Sequence, residues 1–116
     1  MRTEKVYDLE ERTYLFARDC RFFVNKLSKT ISNVEDCKQL VRASGSVGAN
    51  YIEANEKLRE KDFKFRIKIS RKEAKESKYW LKLLRDLNTS SADEAERLIQ
   101  EAQELRSILS AILLKL

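Results

Sequence analysis

Two Glu-x-x-Glu pairs, Glu53 with Glu56 and Glu73 with Glu76, are the carboxylate groupings whose spacing could hold a divalent cation. A three-residue step keeps both carboxylates on one side of a helix, and a hard cation such as magnesium takes oxygen ligands. Little else could join them. Histidine is absent, which removes the usual general base, every triad or zinc site built on it, and the Glu-x-x-His arrangement of di-iron bundles. Cys20 and Cys37 have no metal-ligand spacing and read as buried small hydrophobes in a reducing compartment, a disulfide being the alternative. Gly45 and Gly48 lack a phosphate-loop pattern and a preceding strand. Glu53 and Glu56 project away from the apolar stripe of their own segment, so salt bridges with nearby lysines are the expected role of all four glutamates. No metal, cofactor or catalytic residue is expected.

The second grouping is cationic. Lys61, Lys64, Lys68, Arg71, Lys75, Lys78, Lys82 and Arg85 advance by threes and fours, a continuous stripe on one flank of a helix. Residues 61 to 88 hold ten Lys/Arg against four Asp/Glu, so this one segment carries more than the whole formal charge of +5. Charge runs are ordinarily solvated faces. Yet like charges four apart on a helix repel by a few tenths of a kcal/mol per pair, and an anionic partner would offset that. A phosphate backbone, RNA or DNA, is the simplest such partner, through counterion release. Base-specific reading is not expected, because lysines outnumber arginines and no exposed aromatic run accompanies the stripe for stacking.

Helices must position these groups. The 116 residues contain no proline, two glycines and 37% charged residues at helical spacing, which predicts an all-α chain folded as a single antiparallel up-down-up-down four-helix bundle, with helices near 8–29, 34–58, 61–87 and 91–115. Inward stripes follow from periodicity: Leu9, Thr13, Phe16, Cys20, Phe23 and Leu27 in the first helix; Leu40, Ser44, Val47, Tyr51, Ala54 and Leu58 in the second; Phe63, Ile67, Ser70, Ala74, Ser77, Leu81 and Leu84 in the third. Ala95, Leu98, Ile99, Ala102, Leu105, Leu109, Ile112, Leu113 and Leu116 face inward from the fourth. Ser44, Gly45, Ser46, Gly48 and Ala49 carry little side chain, and Ser70, Ala74 and Ser77 are small as well, so the second and third helices are expected to pack closely. Asn33 is the expected N-cap of the second helix, and Ser91 with Glu94 has capping-box spacing for the fourth. No apolar run approaches the about 20 residues that span a bilayer, and MRTEKVYDLEE has no signal-peptide core, so a cytoplasmic protein with no membrane partner is expected.

The third helix shows a further face. Phe65, Ile69, Trp80, Leu83 and Leu87 lie opposite the cations, interrupted by Glu73 and Glu76. A monomer would have no reason to expose them, so they are expected to pack on another subunit, against Leu15 and Phe22 of the first helix, in a homo-oligomer. The alternative is that they widen the core stripe.

Ser46-Val47-Gly48-Ala49-Asn50-Tyr51 with Glu53-Ala54, then Asp62-Phe63, Glu73-Ala74, Glu76 and Trp80-Leu81-Leu83-Leu84, make residues 40–87 resemble the 23S ribosomal RNA intervening-sequence protein family. These are small four-helix-bundle proteins named after intervening sequences in bacterial large-subunit ribosomal RNA genes. The resemblance implies an antiparallel bundle assembled as a homopentameric ring, with no catalytic residues. A related group, the accessory variability determinant of diversity-generating retroelements, is a pentamer whose basic surface binds nucleic acid and a reverse transcriptase. By position, that surface falls here on the cationic stripe. Arg59 departs from the pattern, since relatives tend to carry a Ser or Thr there that could cap the third helix. The glutamate pairs are also loosely similar to the magnesium clusters of all-α nucleoside triphosphate pyrophosphohydrolases, although the final position is Glu where that family has Asp. The leading expectation is a non-enzymatic, oligomeric nucleic-acid-binding protein. The alternative is a protein-interaction scaffold, with the pyrophosphohydrolase behind both.

Overall fold

The computed structural model describes residues 8–56 and 59–116, and among them the chain is all-α, without strands. Its helices are α1 (Leu9–Asn25), α2 (Ile31–Asn55), α3 (Glu60–Leu87) and α4 (Ala92–Leu114), the last preceded by a 3-10 turn at Thr89–Ser91. Each end has a local cause. Asp8 caps α1 by accepting from the Glu11 amide at 3.1 Å, and Thr30 caps α2 by accepting from the Asn33 amide at 3.1 Å.

Several expected boundaries move. α1 stops at Asn25 rather than near Lys29, although Leu27 beyond it is still buried. α2 starts three residues early because Thr30, not Asn33, supplies the cap. Asn33 is instead buried and exchanges two amide hydrogen bonds with Asn88, at 2.8 and 2.9 Å. Ser91 is the residue before α4 but makes no side-chain capping bond, so the capping box with Glu94 does not form. The Glu94 carboxylate takes Lys26, the residue just past α1, instead. Arg59 does not cap α3 either; its guanidinium reaches forward to Asp62 at 3.2 Å.

Neighbouring helices are α1 with α2, α2 with α3, α3 with α4, and α4 back with α1. Partners across each seam run in opposite numerical order, as where Thr13 lies against Gly48 while Arg21 meets Ser44 between α1 and α2. Arg12 meets Glu101 and Glu104 while Lys26 meets Glu94; Arg42 meets Glu76 while Arg66 meets Asn50; Lys78 meets Gln103 while Arg85 meets Glu96.

The expected α1 stripe is buried throughout, as are Leu40, Ser44, Val47, Gly48 and Ala54 of α2 and Ile67, Ser70, Ala74, Ser77, Leu81 and Leu84 of α3. Tyr51 and Phe63 are half-buried and packed against that core, and Leu58 lies outside the described residues. The expected close seam between α2 and α3 is marked by Ser70, whose hydroxyl donates to the Val47 carbonyl at 2.7 Å inside the core. The glycines, however, serve α1 rather than α3. A Cβ on Gly48 would stand 2.8 Å from the Thr13 hydroxyl, and one on Gly45 would stand 3.1 Å from the Arg21 guanidinium. In α4 the core ends at Leu109; Ile112 and Leu113 are half-buried, and Leu114 and Leu116 are exposed.

Candidate nucleic-acid interface

At 1.5 Å per residue, the 28 residues of α3 run about 42 Å, nearly the full 45 Å length of the molecule. A charge pattern written on α3 therefore spans the whole particle. Its buried stripe faces the other helices, which leaves the opposite ridge in solvent: Lys61, Phe65, Lys68, Lys72, Lys75, Tyr79, Lys82 and Asp86 are all exposed.

The eight cations expected as one stripe divide into two groups. Lys61, Lys68, Lys75 and Lys82 stand on this outer ridge and form no ion pair among the described residues. Lys64 is likewise without one, though half-buried. Arg71, Lys78 and Arg85 turn toward α4. Arg71 donates to Ser110 at 3.4 Å, Lys78 to Gln103 at 2.9 Å, and Arg85 is held by Asp86 at 2.8 Å and Glu96 at 3.1 Å. The hydrogen bonds it donates to Asp86 and Glu96 push the Arg85 guanidinium further up from its ordinary value, and the same bond from Arg85 lowers the Asp86 carboxyl. The far end of the stripe is thus charge-compensated, and the excess positive potential lies from Lys61 to Lys82.

Two residues outside the expected stripe join it. Lys72 adds a cation on the ridge, tethered loosely to Glu76 at 3.7 Å. Arg106 of α4 closes the opposite wall of a shallow cleft of about 400 Å³ lined by Lys68, Arg71, Lys72, Lys75 and Ser110. Periodicity within one helix could not have found Arg106, because its place depends on which face α4 turns to α3.

The expectation that no exposed aromatics accompany the stripe does not hold. The ridge does carry aromatics: Phe65 is 59% and Tyr79 58% exposed, interleaved with the lysines. Phe65 lies in a depression with Glu60, Lys61, Lys64 and Lys68. The Arg66 guanidinium sits 5.9 Å from the Phe65 ring centre, and Arg66 is in turn bonded to Asn50 at 3.1 Å. Tyr79 meets Trp80 edge-on, 5.0 Å between ring centres.

The expected oligomer face is also uneven. Trp80 is half-buried and packs against the core, as the widened-core alternative expects. Leu15, Ile69 and Leu83 are half-buried, whereas Phe22 and Leu87 are exposed. The glutamate pairs do not converge. Glu73 is buried and faces Arg42 at 3.5 Å, Glu76 takes the same guanidinium at 3.1 Å, and Glu53 and Glu56 point to solvent. No group of three potential metal ligands exists among the described residues. Both cysteines are free, Cys20 buried and Cys37 half-buried. No helix of the described residues is long and apolar enough to cross a membrane.

Fold and surface together define a small helical protein whose distinguishing feature is a cationic helix ridge. The chain belongs to the 23S rRNA-intervening sequence protein family, whose family model matches residues 6–111. Among solved structures it is similar to a protein with unknown function from the S23 ribosomal protein family of Bacteroides thetaiotaomicron. The two share 29% identity with a TM-score of 0.76, over 90% of this chain and 96% of that one. No curated protein matches the sequence.

Proposed function

We propose that this chain is a non-enzymatic, cytoplasmic nucleic-acid-binding protein that works as a homo-oligomer of antiparallel up-down-up-down bundles, holding the phosphate backbone along α3. The observation that carries the reading is the ridge of Lys61, Lys68, Lys75 and Lys82, which form no ion pair among the described residues, whereas Arg12, Arg42 and Arg85 are paired. Unpaired like charges in a row are self-repelling, and a polyanion relieves that repulsion while releasing its own counterions. The opposite numerical order of partners across each seam supports the antiparallel arrangement. Family membership supports the oligomer, and the pentameric ring and reverse-transcriptase partner of the retroelement proteins are the form it would take.

Titration of labelled RNA and DNA at two salt concentrations, with the solution mass from light scattering, tests this. Affinity should fall steeply as salt rises. Lys68→Glu, Lys75→Glu and Lys82→Glu combined should abolish binding and leave helicity intact, and undiminished affinity in that variant would remove the ridge as the site. A scaffold for a protein partner is the second reading, favoured by the exposure of Phe22 and Leu87. An apolar protein contact would persist at high salt.

A further inference from the structure

We propose that the ligand of α3 is a single-stranded polynucleotide, its bases stacked on Phe65 and Tyr79 and its phosphates following the lysines between them. This rests on the reading of α3 as a phosphate-binding face and adds what would make that face select a strand over a duplex. Phosphates are presented by both forms. Base faces are presented only by an unpaired strand, and exposed aromatics interleaved with cations are the surface that takes them.

Three observations converge. Phe65 and Tyr79 are more than half exposed on the very ridge that carries Lys61, Lys68, Lys72, Lys75 and Lys82. Both rings have a braced neighbour: the Arg66 guanidinium, which Asn50 holds, lies over the Phe65 ring at 5.9 Å, and Trp80, which packs on the core, meets Tyr79 edge-on. A braced ring loses little rotamer freedom when a base lands on it, which is what a stacking platform requires. Finally, the rings stand fourteen residues apart on one straight helix, about 21 Å at the α-helical rise, with Lys68, Lys72 and Lys75 between them. A strand laid along α3 therefore meets ring, cations and ring in turn. Stacking and phosphate contact are indifferent to the 2′-hydroxyl, so ribose and deoxyribose strands should both bind.

The experiment is fluorescence anisotropy with a labelled 20-nucleotide strand, as RNA and as DNA, beside the same DNA sequence annealed to its complement. The strand should bind more tightly than the duplex. Phe65→Ala and Tyr79→Ala should each weaken strand binding about 5- to 150-fold, the span expected for loss of one stacked base, and change duplex binding less than about twofold. Tyr79→Phe should restore most of the affinity. Trp80, the only tryptophan, touches Tyr79, so its emission should shift on saturation with unlabelled strand. Duplex preferred over strand, or strand affinity unchanged in both alanine variants, overturns the inference while leaving the phosphate-binding reading in place. A solution mass that drops in Phe65→Ala would also overturn it, by assigning that ring to a subunit contact. Failure of the wild type to bind any polynucleotide overturns both.

Discussion

At the scale of single residues, the two glycines of α2 separate cleanly. A Cβ at Gly48 would press on the Thr13 hydroxyl and its Cβ, at 2.8 and 3.2 Å, both fixed in the α1 core. Overpacking of this kind costs about 1–3 kcal/mol, which outweighs the about 1 kcal/mol an alanine gains in a helix interior. At Gly45 the obstacle is the tip of the exposed Arg21 side chain, which donates to the Ala17 and Val41 carbonyls at 3.0 and 3.3 Å and has to shift only slightly to admit a methyl group. Gly48→Ala should therefore destabilise and Gly45→Ala stabilise, by up to about 1 kcal/mol, in urea unfolding. Thr13→Ala should rescue Gly48→Ala, and an unrescued double variant would locate the clash elsewhere. The cysteines separate too. Burial pushes the Cys20 thiol up to about 12, and the half-buried Cys37 thiol is raised as well, by the same cause and by Asp36. A thiol-reactive probe at pH 8 should label Cys37 slowly in the folded protein and reach Cys20 only after denaturation. Prompt labelling of two thiols per folded chain would contradict the burial of Cys20.

At the scale of elements, the helices and their inward stripes were readable because apolar periodicity needs no tertiary information: Leu9 through Leu27 and Ile67 through Leu84 are buried as their spacing requires. What the spacing could not supply was partner choice. Asn33 looks like a cap in sequence, yet its amide spans to Asn88, fifty-five residues away, and also donates to the Ser28 carbonyl at 2.9 Å. Asn88 in turn closes α3 by donating to the Leu84 carbonyl at 2.8 Å. The pair ties the α1–α2 connection to the end of α3, so the two turns at that end are held as one unit. Removing either amide leaves the other without its partner in a largely buried place, which costs about 1–3 kcal/mol. Asn33→Ala and Asn88→Ala should each lower stability by that amount in chemical denaturation. The double variant should cost less than the sum, and full additivity would mean that the two amides do not work as a pair. The ridge was half legible for the same reason: its lysines follow from α3 alone, whereas the compensation of Arg85 by Glu96 and the contribution of Arg106 depend on α4.

For the whole molecule, exposed apolar side chains occur on every helix, Ile31, Val34 and Ile52 on α2 and Leu114 on α4 among them, and those that the assembly reading joins lie on α1 and α3, two helices with no substantial seam between them because α2 and α4 stand on either side. Phe22 is exposed on one, with Leu15 half-buried near it in sequence, and Leu87 is exposed on the other, with Ile69 and Leu83 half-buried. If the α1 face of one subunit meets the α3 face of the next, the contact is head-to-tail, and head-to-tail contacts close into rings or extend into filaments rather than stopping at a two-fold dimer. Trp80 also packs on the core, so Trp80→Ala should lower stability whether or not it lowers assembly. The geometry makes an asymmetric prediction. Phe22→Glu should break the α1 half of every contact, and Leu83→Glu with Leu87→Glu the α3 half, so each variant alone should sediment as a monomer. Mixed, the first still offers an intact α3 face and the second an intact α1 face. The mixture should therefore form a dimer of one chain of each kind and grow no further, because the remaining faces of that pair are the damaged ones. Light scattering on the equimolar mixture reads this directly. Twice the monomer mass supports the head-to-tail assembly, whereas two variants that stay monomeric together would mean that each face meets its own copy or neither carries the assembly.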